Sequence, residues 1–303
     1  MNDFRFPIEH VYRPYPESVI RTENSVIYKA QDLDLQRDVC IKEVSIAGRT
    51  AGEKKKNLEK ALSEARTMVK VTGKTESVPA IYLVFHDPDA SKIFIVMDWI
   101  NGKSLGEFIA DTPGRVKEFE FITWMEELCR TLAVMSEPEL KIYHKDIKPD
   151  NILIDTAHKL HLMDFNISVS LPNRIEGTPL YKAPEMETSK TVNRDKVDVF
   201  SIGVILYQYY SKKIPVKGRE YGQRSILRDN DDWDIFIHPK ENVPDMSEHM
   251  DRIITNCMQK DARKRYDIKQ LLYEIRAYKR EISRNGKKDK GPNKKRTAEA
   301  RQQ

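Results

Sequence analysis

The amino-acid sequence predicts an α+β chain in two lobes, a β-rich lobe over residues 1–98 and a larger helical lobe over 99–278. Three observations carry that prediction. The runs SVIYKA, DVCIKEV, VPAIYLVF and KIFIVMDWI dominate the first hundred residues, with turn formers such as Asp32, Asp34 and Asp87-Pro88-Asp89 between them. One segment in this region, about 52–70, changes period. There Leu58, Leu62, Ala65 and Val69 recur at helical spacing with charges opposite, so a single helix interrupts the strands. From about residue 104 the patterns turn helical, at 118–136, 196–210, 247–259 and 267–283. The two regimes meet near Asp98-Trp99-Ile100-Asn101-Gly102, which predicts a hinge there and a cleft between lobes suited to a ligand.

The bulk properties bound the class. A chain of 303 residues can bury a sizeable core, and 33% charged with 39% hydrophobic residues is ordinary for a soluble globular protein. The scattered Cys40, Cys129 and Cys257 argue against a disulfide framework and a zinc site, and fit a reducing compartment. MNDFRFPIEH lacks the apolar run of a signal peptide, and FSIGVILYQYY at 200–210 is too short to span a bilayer, so a cytoplasmic chain without a transmembrane segment is expected. The charge is uneven. Residues 279–303 hold ten Lys/Arg against three Asp/Glu, +7, which leaves −2 on the other 278 residues of a chain whose net charge is +5. This tail has little to bury and is expected to be disordered. It reads as a solubilising tail or linker; the sharper alternative is an electrostatic contact with nucleic acid or an anionic membrane.

The chemistry-bearing residues open the helical lobe. Residues 144–151 read HKDIKPDN and 164–166 read DFN. Phosphoryl transfer from ATP needs a group that orients the attacking hydroxyl and accepts its proton, hard oxygen ligands for metal, and cations on the developing charge. Asp146 suits the first task. Asn151 and Asp164 offer oxygens suited to Mg²⁺, and Lys148 the cation. Pro149 pushes Lys148 to an extended conformation, so 144–151 is predicted to be a loop. Further upstream, IRTENSVIYKA at 20–30 has the strand–turn–strand form of a phosphate-gripping loop, followed by Lys42 in an apolar strand.

Together these stretches resemble the protein kinase family, its serine/threonine branch in particular, over roughly residues 15–278. DVCIKEV resembles the strand with the ATP-binding lysine, here Lys42. Glu64 is similar to the glutamate that pairs with it; Glu59 is a rival, but Glu64 sits beside the apolar Ala61, Leu62 and Ala65. HKDIKPDN resembles the catalytic loop, DFN the metal-binding turn, and GTPLYKAPE at 177–185 the end of the activation segment. Asp198 resembles the buried aspartate that ties the catalytic loop to a core helix, Arg265 the arginine that pairs with Glu185, and His144 a structural residue stacked near Phe165. Leaving out His144, which lies within HKDIKPDN, seven such elements in the family's order are highly specific. The resemblance implies a two-lobed kinase fold and protein substrates bearing Ser or Thr. Thr178 would hydrogen-bond the base and Lys148. For the adenine it implies a sandwich of Ile27 and Cys40 above and Leu153 below, Met97 at the back, and backbone contacts from Asp98 and Ile100.

Departures from the family pattern also stand in the sequence. Aligned on Tyr28-Lys29-Ala30, the three usual glycines fall on Ile20, Thr22 and Ser25. Backbone N–H groups rather than glycine itself contact phosphates, so the loop reads as a stiffer clamp that still works. Asn166 replaces the glycine after Asp164-Phe165, and Lys145, a point charge without a bidentate fork, the arginine before the base. Before Thr178 the short activation segment has only Ser168 and Ser170 as hydroxyls. The leading expectation is an ATP- and Mg²⁺-dependent serine/threonine protein kinase capable of autophosphorylation. The alternative is a pseudokinase acting as a nucleotide-responsive binding module. RDVCIKEV and VPAIYLVF resemble bacterial relatives, and the chain is also compatible with the cytosolic part of a longer receptor kinase.

Overall fold

A computed structural model describes residues 11–21, 25–110, 116–165, 180–188, 194–213, 215 and 237–288. The N-terminal region is built on six antiparallel strands: β1 (Tyr12–Pro14), β2 (Ile20–Arg21), β3 (Ser25–Asp32), β4 (Arg37–Ser45), β5 (Ile81–Asp87) and β6 (Lys92–Asp98). Their order is β1-β3-β4-β6-β5, with β2 on the other half of β3. The β3–β4 register pairs Ile27 with Lys42, and the β4–β6 register pairs Cys40 with Met97. The apolar runs read from sequence are thus the central strands. Val39, Ile41, Ile93, Ile95 and Val96 are all at most 1% exposed.

The interrupting helix is α1, Ala51–Thr72. Thr50 and Glu53 form a reciprocal capping box that satisfies two of the free N–H groups at its start. The face it buries is not the expected one. Ala61, Glu64, Ala65, Met68 and Val71 point inward, while Val69 is 55% exposed. The stripe is rotated by about one residue relative to the Leu58–Leu62–Ala65–Val69 reading. Its small alanines let α1 approach the sheet and bring Glu64 inward with them.

Past β6, residues 99–101 lead into β7 (Gly102–Ser104), which joins β8 (Ile152–Asp155) and β9 (Leu160–Leu162) in a second, three-stranded sheet. The helices are α2 (Leu105–Ala110), α3 (Glu118–Met135), α4 (Glu185–Thr188), α5 (Val197–Ser211), α6 (Pro239–Asn242), α7 (Glu248–Cys257) and α8 (Ile268–Lys288). α5 is buried around most of its circumference, as its apolar composition requires. It runs so close to the end of α7 that a Cβ on Gly203 would stand 2.7 Å from Cys257 Cβ and 2.7 Å from Met258 Cγ. Trp124, Phe121 and Leu128 of α3, with Val199 and Ile202 of α5, form the centre of this core. The two-lobed α+β reading matches this architecture.

One expected boundary moves. α8 continues to Lys288, ten residues into the segment read as a disordered tail. Long-range contacts hold it. Lys279 Nζ lies 2.9 Å from Glu126 on α3, Glu281 2.7 Å from His249 on α7, and Ile282 packs on the core. The rest of the basic tail, 289–303, lies outside the described residues. No helix among the described residues is long and apolar enough to cross a membrane.

Candidate active site

The loop that carries HKDIKPDN is shaped by a carboxylate from a distant helix. Asp198, in the first turn of α5, accepts the backbone N–H of His144 at 2.8 Å and of Lys145 at 2.6 Å. Lys145 stands at φ 65°, in the left-handed region that a side chain with a Cβ rarely enters. The two hydrogen bonds hold that conformation. Burial pushes the Asp198 carboxyl up, while the loop N–H groups and the neighbouring His144 and Lys145 act against that. His144 stacks edge-on to Phe165, ring centres 5.0 Å apart, and its Nε2 lies 2.9 Å from the Met163 carbonyl. Lys148 is extended, at φ −152° and ψ 160°, as its place before Pro149 demands, and Pro149–Asn151 form a short 3-10 turn.

Asn151 ties this loop together. Its amide Nδ2 donates to the Asp146 carbonyl at 2.8 Å and to Asp146 Oδ2 at 3.1 Å, which leaves its amide oxygen available to a ligand. Lys148 Nζ stands 3.3 Å from Asp146 Oδ2. Asn151 O accepts the N–H of Met163 at 2.8 Å, so Asp164 follows directly on the same scaffold. Asp164 is also left-handed, at φ 61°.

The N-terminal lobe supplies the other half of the cleft. Lys42 on β4 reaches Glu64 of α1 at 2.7 Å and Asp164 at 3.1 Å. Burial alone would lower the Lys42 ammonium, but the two carboxylates reverse this and raise it. Burial raises Glu64, whose second carboxylate oxygen is buried without a hydrogen-bond partner among the described residues. The rival Glu59 is exposed and pairs with Arg66 on the helix surface. Two contact sets therefore meet here, Glu64–Lys42–Asp164 and Asn151–Asp146–Lys148, joined through the Met163 N–H to Asn151 O hydrogen bond beside Asp164.

Cys40 and Met97 are buried side by side on β4 and β6, with Ile27 packed on the same core. Burial pushes the Cys40 thiol up to about 11, which marks it as inert. Leu153 is half-buried on β8, opposite Ser104 and His161, and stands outside that apolar cluster. Asp98 ends β6, and its carboxylate accepts Ala80 N–H at 2.7 Å; Ile100 follows in the connection between lobes. Ile20 on β2 is 54% exposed, and Ser25 begins β3. Thr22, Asn166, Ser168, Ser170 and Thr178 lie outside the described residues. Glu185 opens α4 and grips Arg265 through two contacts, 2.6 Å and 3.0 Å.

Sequence reasoning missed the surroundings of the hinge, where Lys29, Tyr82 and Arg37 gather. No motif marks them, because their contacts form only when β1, β3, β4 and β5 come together. The Thr50-x-x-Glu53 cap was missed as well, although its spacing is a local signal.

Among the described residues no three His, Cys, Asp or Glu side chains are grouped as a metal cage. The oxygens present, one amide and one carboxylate, fit Mg²⁺. That ion keeps most of its water and binds through one or two protein oxygens together with substrate phosphates.

Comparison with known proteins agrees with this geometry. Residues 21–274 match the family described as protein kinase domain. Rat serine/threonine-protein kinase D2 is 26% identical over 279 residues, which is 88% of this chain and 30% of the relative. A probable serine/threonine-protein kinase of Clostridium acetobutylicum is 24% identical over 249 residues, 80% of this chain and 36% of the relative. A MAP kinase kinase of Saccharomyces cerevisiae is 27% identical over 210 residues, 65% and 41%. The chain spans about a third of the length of the curated relatives it matches. With the lysine–glutamate pair, the catalytic-type loop and the Glu185–Arg265 clasp in place, the chain belongs to the protein kinase family.

Proposed function

We propose that this domain transfers the γ-phosphate of ATP, with Mg²⁺, to serine and threonine hydroxyls of proteins, its own among them. The observation that carries the reading is the pair of contact sets, Glu64–Lys42–Asp164 and Asn151–Asp146–Lys148, joined where Met163, next to Asp164, donates its backbone N–H to Asn151 O. Asp146, held by Asn151 and facing Lys148, is the group that orients the acceptor hydroxyl and takes its proton. Lys148, 3.3 Å from that carboxylate, is positioned to follow the transferred group with its positive charge. Lys42, fixed by Glu64, holds the nucleotide phosphates. Asn151 and Asp164 would hold Mg²⁺, which when bound supplies charge neutralisation on the phosphates. In this reading Thr178, outside the described residues, would be a further hydrogen-bond partner of Asp146 and Lys148. Asp98 and Ile100 offer backbone groups to the adenine, between Ile27 and Cys40 on one face and Leu153 on the other, with Met97 behind. Ile20, Thr22 and Ser25 would form the glycine-free clamp over the phosphates.

The test is transfer of labelled γ-phosphate from ATP with Mg²⁺, to the chain itself and to a basic protein. Wild type is compared with Asp146→Asn and Lys42→Met. Signal in the wild type that both substitutions abolish supports the reading. A silent wild type that ATP nonetheless stabilises thermally would identify a nucleotide-responsive pseudokinase instead.

A further inference from the structure

The two residues that leave the N-terminal sheet toward the hinge, Asp98 and Trp99, are each clasped from a different side. Tyr82 on β5 donates its hydroxyl to Asp98 Oδ1, and Ala80 N–H donates to Oδ2 at 2.7 Å. Asp98 N–H returns a bond to the Ala80 carbonyl at 3.0 Å. The Tyr82 ring is in turn covered by the Arg37 guanidinium, 3.6 Å from its centre. On the other side Lys29 Nζ stands 5.4 Å from the centre of the Trp99 ring and 5.3 Å from that of Tyr15. Lys29 is fixed there by Asp38 at 2.7 Å, which also accepts the Tyr15 hydroxyl at 3.1 Å. The backbone of Lys29 is bonded as well, to Tyr15 N at 2.9 Å and to Ser18 Oγ at 3.0 Å. Tyr15 and Ser18 precede residue 21, where the family match begins. The stretch around β1 therefore adds a prop to the sheet that the matched domain does not include.

We propose that Tyr82 and Lys29 are positioning residues that set the affinity for the adenine base by bracing the hinge peptide. Neither touches the base. Each fixes the side chain of a hinge residue whose neighbouring backbone groups would meet it, an inference that rests on the nucleotide reading above. A hinge held on both faces has its N–H and C=O groups already aimed, so binding orders less chain and wastes less of the contact energy. A purely stabilising surface network makes a different prediction: it would change the melting point of the free protein and leave ligand affinity alone.

Titration calorimetry with adenosine and with ADP plus Mg²⁺ separates these cases. Adenosine reports the hinge grip without phosphates. Tyr82→Phe and Lys29→Met are expected to weaken adenosine and ADP by the same factor, about threefold to tenfold, the worth of one well-placed polar contact. Lys29→Arg, which keeps the cation over the ring and the Asp38 pair, is expected to restore affinity. Lys42→Met should weaken ADP alone. In phosphotransfer the loss should fall on KM for ATP and not on kcat. Wild-type binding with unchanged affinity in Tyr82→Phe and Lys29→Met would overturn the brace, as would a lower melting point of the free variants without an affinity change. A wild type that binds neither adenosine nor ADP would overturn the nucleotide reading, and the brace with it.

Discussion

Replacing Glu185 by glutamine tests how the helical lobe is fastened. Arg265 is fully buried, its side chain 0% exposed, with its guanidinium 5.2 Å from the centre of the Phe200 ring and its N–H groups turned to polar partners. Nη1 meets Glu185 at 2.6 Å and the Lys196 carbonyl at 3.1 Å. Nη2 meets Glu185 at 3.0 Å and the Gln259 carbonyl at 2.8 Å, and Nε reaches the same carbonyl at 3.2 Å. Glutamine keeps the shape but removes the only formal countercharge among these partners. It also turns an NH₂ group against one guanidinium N–H. Removing one partner of a buried ion pair costs about 3–5 kcal/mol. Glu185 keeps 14% exposure, so water can enter beside it, and the lower end, about 3 kcal/mol, is expected. With a urea dependence of about 2 kcal/mol per molar, the unfolding midpoint followed by far-ultraviolet circular dichroism should fall by roughly 1.5 M. Asp261 and Arg263 are the control. They pair with comparable contacts, 2.7–3.1 Å, but the arginine is 89% exposed. Asp261→Asn should leave the midpoint where it was. Equal shifts in the two variants would refute the burial argument.

Asp198→Asn keeps one acceptor for the loop but sets an NH₂ group against the other backbone N–H, and releases Lys145 from its left-handed conformation; kcat should drop about 100-fold, some 3 kcal/mol, with ADP affinity nearly unchanged. Glu126 accepts from Lys279, Arg276 and Arg130, and these contacts outweigh its burial and hold its carboxyl at about 2, below the ordinary 4.5. A depressed carboxyl contributes stability above its unfolded value that is lost as pH falls. The stability gap between wild type and Glu126→Gln should therefore be roughly 2–3 kcal/mol at pH 7 and close between pH 4.5 and 2, read from melts across that range. Gly203→Ala places a methyl group against Cys257 and Met258 and should lower the melting point through overpacking of about 1–3 kcal/mol.

What the sequence disclosed followed the range of the forces involved. α3, α5 and α7 fall within two residues of their predicted limits, because their apolar patterning is local, and in α7 the Ser247 cap is as well. Glu64 was separable from Glu59 because its neighbours Ala61 and Ala65 are small and apolar, and they are the residues α1 buries. Val69 was misplaced because period alone does not fix which of two adjacent stripes faces the sheet. The end of α8 was missed for a different reason. Lys279 and Glu281 look like tail charges until Glu126 and His249 are brought to them across the fold. The strand β1 was not read from the sequence either, since three residues ending in Pro14 carry no local strand pattern and the pairing of Tyr12 with Asp32 makes them one. Lys42, Asp146, Asn151 and Asp164 were readable as a set because their order along the chain, rather than any single neighbourhood, identifies them.

The sharing of Lys42 between Glu64 and Asp164 has a consequence for how a ligand arrives. Five charged side chains define the contact set, three carboxylates, Glu64, Asp146 and Asp164, and two ammonium groups, Lys42 and Lys148. Before any ligand enters they sum to one negative charge, and the cation nearest the cleft roof is already matched. Under the proposed nucleotide reading, a bare polyphosphate would meet this net negative charge, whereas one escorted by a divalent cation would bring positive charge of its own. The resting ion pairs would then favour entry of a metal-loaded nucleotide over the free one.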